Sequence, residues 1–502
     1  MKKWKIALCF LCMMTLCACQ SAPQEKAELS LPAASPQYEA PIEEELAYTA
    51  QCPLFLPSLD GQRLLCQYAA IALERDVHPA QALVQALLDY PTDSQVRALG
   101  DGVQLSLYGT QPVEVSGGVC TVNLSSSALM LSGQTLYNVC LAIATTLCEQ
   151  QDIHDVNILI ADQAISMDIT GNLPLGAQRG HTGDELPVLW EQMEARRTPL
   201  GEDPSQMPLS ATATLYFPLT GGRGVTPETR SLSFAGQTPQ QLAAELMDAL
   251  SAGTQYATGA ADMPDLENLM LYAPQVSDMP EGGRLVSLRF VSTLEEQLAE
   301  RDITLFCFLA AVVDTITTFI PSVTAVQVEL GAMPLTSLTM ADATQLRCTD
   351  GVIRRSAFTG CLMSPVRLYM AGNGKLIPVT RMLPAADALS PRRLLCELMT
   401  GDGTVRPALP FGLGEADVLG ISLHGDTVVV NLSAAFADAL RALPMPDEQL
   451  ACYAMVNTLC RALQVRRAVF YFDGEMQQTL GGGIYWGGEF LECPGLIDES
   501  KG

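Results

Sequence analysis

The chain has 502 residues, of which 48% are hydrophobic, so it can bury several packed cores and is not predominantly disordered. Its 55 aspartates and glutamates outnumber 29 lysines and arginines, which gives a formal net charge of −26. A surface this acidic repels nucleic acid, anionic lipid headgroups and anionic wall polymers, which excludes them as the main partners.

The N-terminus is typical of a bacterial lipoprotein signal. Three lysines precede an apolar run over residues 6–16, which is too short for a membrane span of about 20 residues. The tetrapeptide LCAC then ends at Cys19, the predicted lipidation site, although Cys17 stands where such signals usually carry Ala, Ser or Thr. The alternative is an ordinary secretory signal. We expect residues 1–18 to be the signal peptide and the mature chain to be lipid-anchored at the outer face of the cytoplasmic membrane.

Residues 19–48 are rich in proline, alanine and glutamate and have little apolar periodicity. This composition predicts a flexible tether that lifts the folded part away from the lipid headgroups.

Twelve cysteines follow Cys19, and they do not form a CxxC motif. Two pairs are spaced eight residues apart within helical patterns, which favours buried free thiols. These pairs are Cys140 with Cys148 and Cys452 with Cys460. An extracytoplasmic location would also permit disulfides, and the pairs close enough to form one are Cys52 with Cys66 and Cys348 with Cys361. Because only four scattered histidines are present, we predict neither a metal site nor a cofactor.

One helix-then-strand pattern occurs three times along the chain. Its copies read QTLYNVCLAIATTLCEQQDIHDVNILIAD, ITLFCFLAAVVDTITTFIPSVTAVQVELG and QLACYAMVNTLCRALQVRRAVFYFDG. When they are aligned, Thr146, Thr315 and Thr458 coincide. In each copy apolar residues spaced by three and four lead into alternating apolar residues, which predicts a helix followed by a half-buried strand.

A second shared helix lies earlier in each copy, at HPAQALVQALL, TPQQLAAELM and SPRRLLCELM. Each of these helices begins with proline at the first helical position, where the missing N–H costs nothing. The intervals between copies are as long as a domain, so the sequence predicts tandem domains rather than a solenoid.

Strands are expected before and between the two helices. GGVCTVNLSSS and GDTVVVNLSAAF place Asn123 and Asn431 in equivalent positions, and GGRLVSLRF is a weaker second copy. In the second and third copies an opening strand is followed by a Pro-x-Thr-Arg motif, which ends at Arg230 and at Arg381. The first copy lacks this motif, which leaves its opening strand uncertain.

Taken in order, these motifs resemble the GerMN domain of spore-germination and sporulation lipoproteins. The resemblance implies an α/β fold, a small α+β sandwich of order βαββαβ, similar to the ring-building modules of secretion and sporulation channels. It implies three tandem domains, over residues 49–170 (the most diverged), 209–340 and 362–490. It also implies a role in protein assembly without enzymatic activity.

Four motifs invite a chemical role and have a structural alternative. TGGRG at 220–224 could cradle phosphate, but it joins two strands, so we expect a hairpin turn. Arg230 and Arg381 could bind an anion, although pairing with carboxylates is favoured. Asn123 and Asn431 could form a polar site, but they favour a turn at a strand end. GGGIYWGGEF at 481–490 predicts a final strand folding back on the third copy, or else a partner-binding tail.

The connections at 171–208 and 341–361 are long for a compact protein. The first has a helical pattern over Leu186–Arg197, so it is predicted to form an ordered bridge. We expect limited proteolysis first to remove the tether and then to cut the chain near 175–208 or 341–361.

The sequence contains no GxSxG, Walker, HExxH or Rossmann motif. We therefore predict no catalytic residues and a non-catalytic, lipid-anchored envelope protein that mediates protein–protein assembly in sporulation or germination. Its expected partners are envelope or sporulation proteins and the membrane, through the lipid, but not nucleic acid. The alternative is a surface lipoprotein that binds a small or cell-wall ligand in a cleft between repeats.

Overall fold

A long antiparallel hairpin begins each of three similar stretches of the chain and is followed by a helix, two antiparallel strands, a second helix and a parallel strand. The computed structural model describes residues 38–100, 102–280, 282–401, 405–410 and 412–501. The signal peptide and Cys19 lie outside these residues. Residues 40–502 cluster as one compact unit.

The first repeat follows a short strand, β1 (Glu44–Glu45). Its elements are β2 (Ala47–Pro57), β3 (Leu64–Glu74), α1 (Ala80–Leu88), β4 (Val113–Ser116), β5 (Val119–Leu124), α2 (Gly133–Cys148), β6 (Asp155–Ile160) and β7 (Gln163–Ala164). The opening strand that the sequence left uncertain is thus one half of an 11-residue pair, β2 with β3.

The second repeat follows helix α3 (Leu186–Glu194). Its elements are β8 (Leu209–Pro218), β9 (Val225–Phe234), α4 (Pro239–Ser251), α5 (Leu266–Leu269), β10 (Gln275–Asp278), β11 (Arg284–Phe290), α6 (Leu294–Ala299), α7 (Leu305–Phe319), β12 (Val323–Leu330) and β13 (Met333–Pro334). The weaker copy GGRLVSLRF forms the central strand β11.

The third repeat follows strands β14 (Ser337–Thr339), β15 (Gln345–Arg347) and β16 (Val352–Ile353). Its elements are β17 (Met363–Ala371), β18 (Leu376–Pro384), α8 (Pro391–Glu397), β19 (Val418–His424), β20 (Thr427–Leu432), α9 (Ala434–Arg441), α10 (Met445–Ala462), β21 (Arg467–Phe472) and β22 (Phe490–Leu491).

The sheets of the three repeats share one topology, in the strand orders β4-β5-β6-β7, β10-β11-β12-β13 and β19-β20-β21-β22. The central pair is parallel each time: β5 with β6, β11 with β12, and β20 with β21. The mixed α/β fold expected from the sequence is confirmed.

Local sequence explains where the first helices begin. Thr238 and Gln241 form a capping box at α4 with proline at the first position, and the Ser390 hydroxyl accepts the Arg393 N–H at α8. In the first repeat the helix begins one residue later, at Ala80, whose N–H is bonded to His78 Nδ1.

The hydrophobic core is divided unevenly among the repeats. One continuous cluster runs from Cys52 to Leu362 and joins the first two repeats, and a second cluster belongs to the third repeat together with Leu46. Helix α7 is buried on nearly every side, which explains why its sequence, LFCFLAAVVDTITTF, is apolar all round. In the described part of the chain, none of the helices combines the length and apolarity needed to cross a bilayer.

The region expected to be tether is ordered at its C-terminal end. Glu44–Glu45 pairs in parallel with β19 of the third repeat, and Glu44 forms an ion pair with Arg392. The Asn431 side chain donates to the Pro41 carbonyl at 2.9 Å. The prediction that the tether extends to residue 48 is therefore wrong in its last residues, because their backbone completes a sheet edge.

Both long connections are ordered. Helix α3 confirms the bridge predicted around Leu186–Arg197, and Ala177 N–H bonds to the Thr212 carbonyl at 2.9 Å. In the second connection β16 pairs with β12. Part of the backbone at 341–361 is therefore paired, and the protease cut expected there stays a prediction.

The twelve cysteines of the described residues are all free thiols. In the first hairpin Cys52 lies opposite Ala69 and Cys66 lies opposite Phe55, so these two thiols are not cross-strand partners. Cys348 and Cys361 are likewise unlinked. Cys140, Cys452 and Cys460 are buried, as predicted, and Cys148 is half-buried.

Candidate ligand cleft between the first and second repeats

A cleft of about 240 Å³ lies between the sheet of the first repeat and the second repeat. Strands β4 and β5 form one wall, whereas Tyr216 of β8 and Asp314 of α7 contribute to the other. The segment over residues 355–362 closes the cleft from the connection that leads to the third repeat.

Strand alternation puts polar residues in this cleft. Along β5, Cys120 and Val122 point into the core, so Thr121 and Asn123 point to the opposite face of the sheet. In a half-exposed sheet that face would be solvated. Here the Thr121 hydroxyl lies 3.4 Å from the hydroxyl of Tyr216 in the second repeat.

Hydrogen bonds fix the two repeats against each other beside the cleft. Asn157 Nδ2 donates to the Thr121 hydroxyl at 3.3 Å, and the Thr214 hydroxyl donates to Asn157 Oδ1 at 2.9 Å. Further along the interface, the Thr229 hydroxyl donates to Asp155 Oδ2 at 2.7 Å. The polar face of the first sheet is therefore an interface between repeats.

Charged side chains line the inner end of the cleft around Arg355. Its Nη1 lies 3.3 Å from Asp314 Oδ1, and its Nη2 lies 3.9 Å from Glu114 Oε2. Nη1 also donates to the Thr318 hydroxyl at 2.7 Å, and the guanidinium lies 5.7 Å from the centre of the Tyr216 ring. The arginine thus links both repeats to the connection that follows them.

Burial controls the ionisation of these groups. Desolvation raises the pKa of Asp314 to about 7, although the charge of Arg355 opposes the shift. Burial also raises the pKa of Glu114. The positive charge of Arg355 opposes this shift, and the negative charge of Asp162 adds to it. Burial disfavours the charge of Arg355, yet Asp314 and its other neighbours outweigh this effect and raise its pKa.

The two arginines of the Pro-x-Thr-Arg motif pair with carboxylates, as predicted. Arg230 bonds to Glu228 at 2.5 Å and donates to the carbonyls of Ala249 and Gly253. Arg381 donates to Glu397 Oε2 at 2.9 Å and to the Glu397 carbonyl at 2.8 Å. Each arginine thereby satisfies carbonyls at the C-terminal end of α4 or α8, which a helix leaves unpaired.

Asn123 and Asn431 support turns, but in the neighbouring strand rather than their own. Asn123 Oδ1 accepts the N–H of Asp162 at 3.0 Å, and Asn431 Oδ1 accepts the N–H of Gly474 at 3.0 Å. Both N–H groups belong to the left-handed turn that follows the parallel strand β6 or β21. Asn123 also donates to Asp162 Oδ1 at 2.6 Å, which places both side chains at the cleft.

The two glycine-rich motifs are structural. TGGRG connects β8 to β9 as the predicted hairpin. The chain after Gly481 folds back, and β22 pairs with β21. Trp486 is fully buried against Phe470 and Phe472, and its Nε1 donates to Glu448 at 2.9 Å.

The histidines do not converge. His78 pairs with Asp152 and His181 with Asp184, each at 2.9 Å, in different parts of the fold. Among the described residues, no group of three or more histidines, cysteines or acids is arranged to hold a metal ion.

Sequence reasoning missed the charged residues of the cleft. The available signal was Asp314, the single charged residue within the apolar helix α7. A lone acid among apolar residues needs a partner when it is buried. The sequence could not identify that partner, because Glu114 and Arg355 approach it only in the folded chain.

Comparison with known proteins identifies two regions. The sequence profile of Germane, described as sporulation and spore germination, matches residues 54–166 and 367–478. These regions fall in the first and third repeats, and the second repeat lies between them. None of the curated proteins matches the chain.

Three solved structures are similar at low identity. The tandem GerMN domains of the sporulation protein GerM from Bacillus subtilis share 15% identity, with 61% of this chain and 99% of that chain covered and a TM-score of 0.23. The first GerMN domain of the same protein shares 15% identity, with 26% of this chain and 98% of that chain covered and a TM-score of 0.22. A Clostridium perfringens protein described as a lipoprotein shares 18% identity, with 28% of this chain and 93% of that chain covered and a TM-score of 0.18.

These likenesses add nothing to the profile match, which rests on the sequence of the two repeats themselves. The two matched repeats share the sheet topology and the asparagine-supported turn. In both, a backbone N–H of the opening hairpin also donates to a threonine of the second helix, from Phe55 to Thr146 and from Tyr369 to Thr458. Over these two regions the chain is similar to the Germane family of sporulation and spore germination domains.

Proposed function

We propose that this chain is a non-catalytic, lipid-anchored envelope protein that assembles with other envelope proteins during sporulation or spore germination. The match of residues 54–166 and 367–478 to the Germane family supports the biological setting. The LCAC motif ending at Cys19 supports the anchor and an extracytoplasmic location.

The observation that carries the proposal is the use of polar residues within the repeats. Thr146 and Thr458 hold hairpins, Arg381 closes a helix, and Asn123 and Asn431 support turns. Side chains that could perform chemistry are thus engaged in maintaining the fold. We infer that binding to other proteins falls to the exposed surfaces of the repeats.

Exposed apolar side chains occur on every repeat. Met130 is 76% exposed on the first, Met333 is 70% exposed on the second and Tyr485 is 62% exposed on the third. Because residues 40–502 form one compact unit, these three surfaces keep fixed positions. A partner that contacts more than one of them gains avidity without new chemistry.

The test uses the full mature chain with Cys19→Ala, so that lipid does not cause the association. It is coupled to a resin and incubated with detergent-solubilised envelopes from sporulating cells. We expect recovery of a specific envelope protein, which is then purified and titrated. Met130→Glu or Tyr485→Glu should each weaken that binding several-fold, and the double variant by more than tenfold.

Leu200→Glu is the matched control, because Leu200 is fully exposed on a connection outside the three repeats. It should bind like the parent chain. The proposal fails if no envelope protein binds the purified chain, or if the double variant binds as tightly as the control.

A second candidate function, capture of a small ligand, is favoured by the cleft between the first two repeats.

A further inference from the structure

The cleft between the first and second repeats carries more negative than positive charge. Glu114, Asp162 and Asp314 line it together with a single basic residue, Arg355. Arg355 lies 3.9 Å from Glu114, which is longer than a hydrogen bond, so it only partly compensates that carboxylate. Asp162 accepts a hydrogen bond from Asn123. The remaining electrostatic attraction is for a cation.

One oxygen in this wall lacks a hydrogen bond. The side chain of Asp314 is 8% exposed, and within the described residues its Oδ1 has no hydrogen-bond partner. The 3.3 Å contact with Arg355 Nη1 is an ion pair without hydrogen-bond geometry. Leaving a buried acceptor unsatisfied costs free energy, and a charged acceptor costs more than a neutral one. A donor that enters the cleft recovers this free energy.

Part of the remaining wall is apolar or aromatic, beside polar residues such as Thr110, Gln111 and Ser356. Tyr108, Tyr216 and Phe358 line the cleft with Leu362. Aromatic faces attract cations, and the apolar side chains can pack against a short hydrocarbon stem. A volume of about 240 Å³ is far larger than the 10–15 Å³ that a single water needs.

We propose that this cleft binds a small alkylammonium ion, whose ammonium group donates to Asp314 and Glu114 while its stem packs against Phe358 and Leu362. An ammonium supplies three donors and no acceptor, which suits a wall of carboxylates. A bare metal ion fits less well, because among the described residues no group of three or more histidines, cysteines or acids is arranged to hold one. This inference concerns the isolated chain and does not rest on the proposed partner binding.

The experiment titrates the purified full mature chain carrying Cys19→Ala with n-butylammonium chloride at pH 8, and follows heat by calorimetry. Sodium butyrate is the matched anion of similar length. We expect saturable binding of butylammonium and none of butyrate. Glu114→Gln should weaken butylammonium binding at least tenfold, and Asp314→Asn should do the same.

Asp184→Asn is the control for loss of an acidic residue, because Asp184 is exposed and pairs with His181 away from the cleft. It should bind like the parent. Circular dichroism and a melting curve verify the fold of each variant. If Asp314→Asn does not fold, Glu114→Gln still decides the question, because the Glu114 side chain is 21% exposed. N-acetyl-lysine methylamide is the second probe, because it presents an ammonium group as the lysine side chain of a peptide does. If it binds more tightly than butylammonium, the ligand is assigned to a peptide.

Three results would overturn the inference. They are the absence of saturable butylammonium binding, butyrate binding at least as tight, and unchanged affinity in folded Glu114→Gln.

Discussion

The hydroxyl of Thr146 accepts a hydrogen bond from the backbone N–H of Phe55 at 2.9 Å, which joins the second helix of the first repeat to its opening hairpin. The same contact recurs in the other repeats, from Tyr216 to Thr315 at 2.9 Å and from Tyr369 to Thr458 at 3.4 Å. These three threonines are the ones that the sequence alignment superimposes. Although the profile match omits the second repeat, this repeat keeps the same internal contact.

Replacing Thr315 by valine tests the contact at constant side-chain shape. Thr315 is fully buried, so Thr315→Val leaves the Tyr216 N–H without an acceptor and should lower the free energy of unfolding by about 1–3 kcal/mol. Urea unfolding measures the change. Thr317→Val in the same helix is the control, because that hydroxyl donates only to the Val313 carbonyl one turn earlier. A loss as large in the control would show that the hairpin contact is not the cause.

Arg381 is expected to matter more than an exposed arginine in a similar ion pair. Arg381→Met removes its bonds to Glu397 and to helix-end carbonyls, leaving Glu397 only its pair with Arg393 and the carbonyls without a donor, and should cost about 3 kcal/mol of stability. Arg367→Met breaks an exposed pair with Glu499 and should cost at most about 1 kcal/mol. Denaturant midpoints of the two variants should therefore differ clearly, and equal midpoints would contradict the assigned role.

The glycine-rich segment after Gly481 depends on Glu448. This buried carboxylate accepts the N–H groups of Gly481 and Gly483 and the indole N–H of Trp486. Glu448→Ala should free the segment, shift tryptophan fluorescence to longer wavelength and allow early proteolysis within 474–490. Asp447→Asn, at the neighbouring and more exposed position, should leave both readouts unchanged. Resistance of Glu448→Ala to protease would refute the role of this anchor.

The pKa of Asp314 predicts a pH-dependent contribution to stability. Its ordinary value is 3.8, and burial raises it to about 7 in the folded chain. Since the folded state holds the proton more tightly than the unfolded state, this residue's contribution is fully present below pH 3.8 and is lost as the pH rises through about 7.

Asp314→Asn removes this dependence. Relative to the parent, the variant should therefore gain stability between pH 4 and pH 7, by up to about 1.4 kcal/mol per pH unit. Unfolding free energies measured across this range for both proteins give the difference. A constant difference would mean that Asp314 does not titrate in this window.

Cys19 is the predicted attachment point of the lipid. Cys19→Ala should abolish incorporation of a labelled fatty acid and processing at that residue, because the acceptor thiol is absent. Cys66→Ala is the control, since Cys66 is exposed on the hairpin of the first repeat. Unchanged labelling of Cys19→Ala would refute the assignment.

The sequence by itself determined the repeat pattern and the elements within it. Helical spacing and strand alternation depend on residues close together in the chain, so helices α2, α7 and α10 and the strands after them could be predicted from local patterns. The same holds for the hairpin at TGGRG and for helix α3. The pairing of Arg230 and Arg381 was also foreseeable, because acids lie near them in sequence.

Only the tertiary structure decided which surfaces meet. Glu114, Asp314 and Arg355 belong to two repeats and a connection, and no local pattern specifies that packing brings both carboxylates within 4 Å of the arginine. The pairing of Glu44–Glu45 with the third repeat likewise depends on how the chain closes on itself. Local periodicity indicates which face of a helix or strand is apolar. Which element packs against its polar face depends on long-range packing, and the cleft forms where the two repeats pack in this way.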